Sequence, residues 1–143
     1  MANYVVDTSL VSQYSISQTY TPQARVLITR MYAGDELYIP EFSLLECANV
    51  LWKEVRFRGL SQTNAEEIIS ELLRLPFQIV SVKHLLPRAL QIGITHQLAV
   101  YDSLYIALAL DLNFPLITVD NKQLNAAIAC GVTIKPIEDF LPT

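Results

Sequence analysis

The chain has 143 residues, close to the commonest size for one domain, and 52% of them are hydrophobic against 17% charged. This composition excludes a disordered chain and supplies ample apolar material for a single core spanning residues 1–143. Acids outnumber bases by 14 to 10, for a net charge of −4, so any nucleic-acid contact must rest on clustered rather than abundant basic residues.

Residues 4–6, Tyr-Val-Val, form a short apolar run that ends at Asp7 and reads as a buried strand. Residues 9–14 fit a short helix. Thr21-Pro22 reads as an N-cap followed by Pro at the first helical position, opening a helix over residues 23–32 that Gly34 stops. Residues 37–39 are a second strand closed by Pro40. A strong helix follows over residues 41–58, with Gly59 at its end. Ser61 opens another, whose Ile68, Ile69, Leu72 and Leu73 form an apolar stripe and which Pro76 stops. Residues 77–82 are a third strand, and 85–98 and 101–112 two further helices. Residues 116–119 make a fourth strand ending at Asp120, residues 121–130 a helix followed by Gly131, and residues 132–137 a fifth strand.

Short apolar strands alternating with helices predict an α/β fold: a parallel five-stranded sheet covered by helices on both faces. Loops at the carboxyl ends of the strands, beside the point where strand order reverses, are the expected site. An order of 3-2-1-4-5 makes strands one and four neighbours, which brings Asp7 and Asp120 together.

No repeat, low-complexity tract or flexible linker is visible. The apolar stretches are interrupted by polar residues or Pro, so none reads as a membrane span. The absence of a basic region before the first apolar run argues against a signal peptide. Cys47 and Cys130 match no metal motif and make no disulfide scaffold, so a reducing cytoplasm is the expected compartment.

Four acids stand out by position. Asp7 and Asp120 each follow a strand and precede a helix, where a plain N-cap explains them equally well. Asp102 lies near a helix start, ahead of eight residues without charge, where it also suits the helix dipole. Glu46 has a sharper alternative: Ser43-Leu44-Leu45-Glu46 matches a capping box. If the helix begins earlier, at Pro40-Glu41, Glu46 instead lies in the second turn of a mostly apolar stretch, where an ionised carboxylate needs a partner. Taken together, these hard oxygen ligands without accompanying His or Cys suit Mg²⁺ or Mn²⁺ rather than zinc. Such an ion can activate water for phosphodiester hydrolysis.

With Val-Val-Asp7-Thr-Ser, Leu-Leu-Glu46, Tyr-Asp102-Ser-Leu-Tyr-Ile-Ala-Leu-Ala and Ile-Thr-Val-Asp120 in this order, the sequence resembles PIN-domain ribonucleases over essentially its whole length, and in particular the VapC-like toxins of toxin–antitoxin pairs. The resemblance implies a five-stranded parallel sheet and Mg²⁺- or Mn²⁺-dependent endoribonuclease activity. It also implies inhibition by a small antitoxin that binds operator DNA, and pairing as a homodimer. It assigns Asp7, Glu46 and Asp102 to the metal site, with Asp120 as the more variable fourth acid. Thr8, Ser9 and Thr118 are polar neighbours able to fix carboxylates or a water. Lys53, Arg56 and Arg58 follow Glu46 on its helix and are candidates to grip the RNA backbone; a solvated helix end favouring cations explains them as well.

His84 and His96 lack a second histidine at ligand spacing and read as structural or surface residues. Trp52 and the tyrosines around Tyr101 read as core or interface residues, and both cysteines as buried, inert thiols. Residues 14–20 form a polar loop near the site. A phosphatase using Asp7 as nucleophile would want an Asp where Ser9 stands. A response-regulator-like phosphoacceptor would need an acidic pair after the first strand and an Asp after the third, and neither is present. A non-catalytic binding module on the same fold stays open.

Overall fold

The computed structural model of the protein describes residues 1–16 and 18–142. The polar loop expected at residues 14–20 includes Ser17, which lies outside the described residues. The chain runs β1 (Asn3–Val6), α1 (Thr8–Ser15), α2 (Thr21–Met31), β2 (Glu36–Pro40), α3 (Phe42–Arg58), α4 (Gln62–Arg74), β3 (Gln78–Val80), α5 (Leu86–His96), α6 (Val100–Leu112), β4 (Leu116–Ile117) and α7 (Asn121–Ala129). Single 3₁₀ turns at Lys83–Leu85 and Ile137–Asp139 precede α5 and follow α7.

The sheet is parallel, in the order β3-β2-β1-β4. Strand alternation divides the core in two. Tyr4, Val6, Leu37, Ile39 and Ile117 face a cluster with α1, α2 and Leu72 of α4. Val5 and Leu116 face α5, α6 and α7. With helices on both faces, consecutive residues of the central strand are buried, which is why β1 reads as an unbroken apolar run. The sequence and structure also agree on several stops and starts. Gly59 ends α3 in the left-handed region at φ 81°, and the Ser61 hydroxyl caps α4 by accepting from the Asn64 N–H at 3.1 Å.

The expected fifth strand is not formed: the sheet has four strands. Residues 132–137 contribute a single parallel bridge, Leu116 to Ile134. Leu116 N–H donates to the Thr133 carbonyl at 2.9 Å, and Lys135 N–H donates to the Leu116 carbonyl at 3.0 Å. The next donor toward β4 would be Ile137, but there the chain has already turned into the 3₁₀ segment. β4 is itself only two residues long, so it presents little edge to pair with. Two smaller readings also shift. Thr21 is not the N-cap of α2 but its first residue, with its hydroxyl turned back onto the Gln13 carbonyl. Leu73 of the expected α4 stripe is exposed.

The register sets the site. Val5 pairs with Leu116 and Val6 with Ile117, so Asp7 and Thr118 leave adjacent strands at the same level.

Candidate active site

Asp7 follows the last β1 residue and caps α1, accepting from the Leu10 N–H at 3.3 Å. Capping is only part of its role. Ser9 Oγ donates to one carboxylate oxygen at 2.6 Å, and Thr118 Oγ1 donates to the other at 2.7 Å. Thr118 in turn accepts from the Asp120 N–H at 3.0 Å, and its hydroxyl lies 3.0 Å from Gln123 Oε1. Asp7 is 3% exposed, and its carboxyl is pushed up from 3.8 to about 6, chiefly by burial, with Asp120 adding like-charge repulsion. Two of the three polar neighbours expected to support the site, Ser9 and Thr118, thus hold Asp7.

The third, Thr8, holds Glu46. Thr8 Oγ1 donates to Glu46 Oε1 at 2.7 Å, and the Tyr105 hydroxyl donates to the same oxygen at 2.8 Å. Ser43 Oγ lies 2.5 Å from the Tyr105 hydroxyl and Thr8 Oγ1 lies 2.7 Å from it. With one proton per hydroxyl, Ser43 donates to Tyr105, while Tyr105 and Thr8 each donate to Glu46. The capping-box explanation of Glu46 is therefore excluded: Ser43 is fully buried as the second residue of α3, its hydroxyl is on Tyr105, and the N-cap position is Glu41. Burial and the neighbouring Glu46 drive the Tyr105 phenol far above its ordinary range, so it stays a proton donor.

Asp102 sits half-buried in the first turn of α6. Burial raises its pKa, and Asp120 and then Glu46 raise it further, against an opposing pull from Lys122. Among the described residues no side chain donates a hydrogen bond to its carboxylate. Asp120 caps α7 by accepting from the Gln123 N–H at 3.0 Å. Gln123 Nε2 reaches back to the Asp102 carbonyl at 2.9 Å, joining the start of α6 to α7. Asp120 thus acts on both Asp7 and Asp102, and Glu46 on Asp102, near the carboxyl ends of β1 and β4.

Tyr105, Ser43 and Gln123 were missed in the sequence, although two carried a signal. Tyr105 lies three residues after Asp102, and Ser43 three before Glu46, each on the same helical face as its acid. Lys53, Arg56 and Arg58 are not brought to the acids. They are exposed on the distal part of α3, about 10 to 18 Å along the helix axis from Glu46. Arg58 pairs with Glu54 at 3.3 Å, and the Arg56 guanidinium lies over the Phe57 ring. The histidines lie elsewhere: His84 beside Asp111 at 3.4 Å, His96 beside Cys130 at 3.4 Å. Cys47 is buried, with its thiol pushed up to about 12, and is inert as expected. Cys130 is only partly buried, and Trp52 and Tyr101 are exposed rather than core.

The donor set is made of hard carboxylate oxygens with no sulfur or imidazole, the chemistry of Mg²⁺ or Mn²⁺. The carboxyls of Asp7 and Asp102 are raised first by burial, with like-charge repulsion from Asp120 adding to it. Among the described residues, no three acidic, histidine or cysteine side chains are drawn together as a ready ligand set, so the cluster is open rather than a closed cage.

The PIN domain family model matches residues 4–129, a span that contains all four acids. The chain belongs to the PIN-domain family. It is 28% identical over 120 residues to a protein described as Ribonuclease VapC3 from Pyrobaculum aerophilum, covering 82% of this chain and 89% of that one. The fold matches the crystal structure of PAE2754 from Pyrobaculum aerophilum at a TM-score of 0.73, with 21% identity over 96% of this chain and 92% of that one. It also matches VapBC2 from Rickettsia felis, solved bound to a DNA fragment from its promoter, at a TM-score of 0.68 and 11% identity, covering 94% and 98%. For a PIN domain, the Asp7–Glu46–Asp102–Asp120 cluster at the carboxyl end of the parallel sheet is the natural candidate centre. No helix among the described residues is long and apolar enough to cross a membrane.

Proposed function

We propose that this PIN domain is a Mg²⁺- or Mn²⁺-dependent endoribonuclease, the toxin of a type II toxin–antitoxin pair, acting in the cytoplasm. The observation that carries the reading is that Asp7 and Glu46 are each held by a dedicated set of hydroxyls, while Asp120 lies close enough to raise both Asp7 and Asp102. Asp7, Glu46, Asp102 and Asp120 are the groups to hold the ion. When bound, the ion lowers the pKa of water at the site and offsets charge at a scissile phosphate.

The chain's own residues do the positioning. Ser9 and Thr118 fix the Asp7 plane, and Thr8 and Tyr105 fix Glu46 by one oxygen, leaving its other oxygen free of these hydroxyls. Asp102, with no donor among the described residues, is the least committed carboxylate and the one best able to orient an attacking water. Hydrolysis adds that water to phosphorus and breaks one P–O ester bond.

The cognate antitoxin is the expected inhibitor, and operator DNA is reached only through it. An apolar groove between α3 and α4, about 330 Å³ and lined by Leu51, Trp52, Val55 and Ile69, is the surface that best suits an antitoxin segment. A non-catalytic binding module is the less favoured reading, because such a module would not need hydroxyl-fixed carboxylates around uncompensated charge.

The deciding experiment is RNA cleavage with Mg²⁺ or Mn²⁺ and with EDTA, for wild type, Asp7→Asn and Asp102→Asn. Expected are metal-dependent cleavage and a loss of about two orders of magnitude or more in each variant, the scale on which one electrostatic contact to a transition state acts. Both variants should keep wild-type circular dichroism. Cleavage that persists in both variants would overturn the site.

A further inference from the structure

A second cavity opens beside the acids and shares a wall with them. It measures about 140 Å³, below half the lower end of the range for drug-sized ligand pockets, so it suits one ring system rather than a whole nucleotide. Thr118, whose hydroxyl holds Asp7, and Asn121, which follows Asp120, line its inner side. Leu124 and Ile134 supply apolar surface, and Tyr20 and Glu138, the latter exposed, also border it.

The Tyr20 and Leu124 walls are anchored in the fold. The Tyr20 N–H donates to the buried Gln13 side chain at 2.9 Å, and Leu124 sits on α7 one turn from Asp120. Glu138 lies in the 3₁₀ turn after the bridge to β4, and among the described residues it forms no ion pair.

We propose, resting on the ribonuclease reading above, that this cavity takes a guanine base flanking the scissile phosphate. Single-stranded RNA is read by unstacked bases placed against aromatic or apolar side chains and hydrogen-bonded along their edges. A carboxylate only accepts hydrogen bonds. On guanine it meets two adjacent donors, N1–H and the N2 amino group. Adenine and cytosine present one amino donor beside a ring-nitrogen acceptor, and uracil one N–H between two carbonyls. Glu138 therefore selects guanine, while Tyr20, Leu124 and Ile134 hold the ring faces without regard to base. The Asn121 amide carries both donors and an acceptor, suited to the remaining edge atoms.

Two arms test this. In the first, EDTA suppresses cleavage, and fluorescence anisotropy measures the affinity of labelled UUGUU and UUAUU. The wild-type protein is expected to favour the guanine oligomer about tenfold, the discrimination of one good bidentate contact. Glu138→Gln, which keeps the shape but introduces an amide donor, is expected to erase the preference. Leu124→Trp, which fills the cavity, is expected to weaken both oligomers. Equal affinities in the wild type, or a preference that survives Glu138→Gln, overturn the pocket. In the second arm, Mn²⁺ is present and cut positions are mapped on a long unstructured RNA. Cuts at a fixed distance from guanine support the pocket, and cuts without base preference overturn it while leaving the nuclease intact. Guanine-selective binding without any cleavage supports the pocket and overturns the nuclease reading instead.

Discussion

The Asp7 carboxyl is surrounded by hydroxyls and a backbone amide but almost no solvent, so the folded protein holds its proton more tightly than the unfolded chain does. Below pH 3.8 both states are protonated. Between that value and about 6 only the folded state keeps the proton, and above 6 the folded state carries a buried charge. Stability conferred by the proton is thus present at low pH and lost as pH rises through about 6, a difference on the order of 3 kcal/mol in full. Thermal melts in EDTA should show the wild type losing stability relative to Asp7→Asn across pH 4 to 6, with the variant the more stable at pH 7. Saturating Mn²⁺ should narrow the gap by stabilising only the wild-type fold. Parallel melting curves with pH would contradict the assignment. Tyr105 makes a different demand. Tyr105→Phe leaves the buried Ser43 hydroxyl without its partner and releases one tether on Glu46. The expected cost is about 1 to 3 kcal/mol by urea unfolding, together with a roughly tenfold or greater fall in Mn²⁺ affinity by calorimetry. Unchanged metal affinity would reduce Tyr105 to a packing residue.

At the scale of single elements, α3 shows both what the chain makes legible and what it hides. Its end at Gly59 is written in the residue type, because only the left-handed region closes the helix there. Its start is obscured by Ser43-x-x-Glu46, a spacing that serves a capping box and a shared helical face equally. Only Tyr105, arriving from α6, decides between them. Asp7 was readable because a polar residue directly after an apolar run marks a strand end, whereas Asp120 stands three residues past β4 as the cap of α7. Helix length separates the basic trio of α3 from the acids, a distance that proximity in sequence disguises. If Lys53, Arg56 and Arg58 nonetheless grip RNA leaving the site, replacing all three with Ala should lower the slope of log affinity against log salt by up to about 2. An unchanged slope would confine them to solvation and the Glu54 pair.

Over the whole molecule, the parallel sheet followed from alternation and crossover rules, whereas the pairing of β1 with β4 rested on an assumed strand order that the structure bears out. The fifth strand failed because apolar composition says nothing about the turn that begins at Ile137 or about the shortness of β4. The surface carries information the core pattern could not. Leu86, Leu90 and Ile94 repeat every four residues along the outer face of α5, and all are exposed, Ile94 at 72%. A stripe of this kind on one face can match itself across a two-fold axis, as the homodimer that the resemblance implies would need. Leu90→Glu with Ile94→Glu should halve the mass seen by sedimentation equilibrium without changing the melt of the monomer fold. A double variant that retains the wild-type mass would place any dimer on another face.

The single bridge that stands in for a fifth strand also sets where the protein can open. Ile134 and Glu138, which line the cavity beside the acids, follow Thr133 and flank Pro136, on a segment joined to the sheet by two backbone hydrogen bonds to Leu116. Such a segment can separate from the sheet at far lower free energy than the core strands can. Amide exchange at Lys135 then reports opening of the cavity wall without unfolding of the domain. A base seated against that wall would slow this exchange, so the weakest seam of the fold doubles as its most responsive gauge of occupancy.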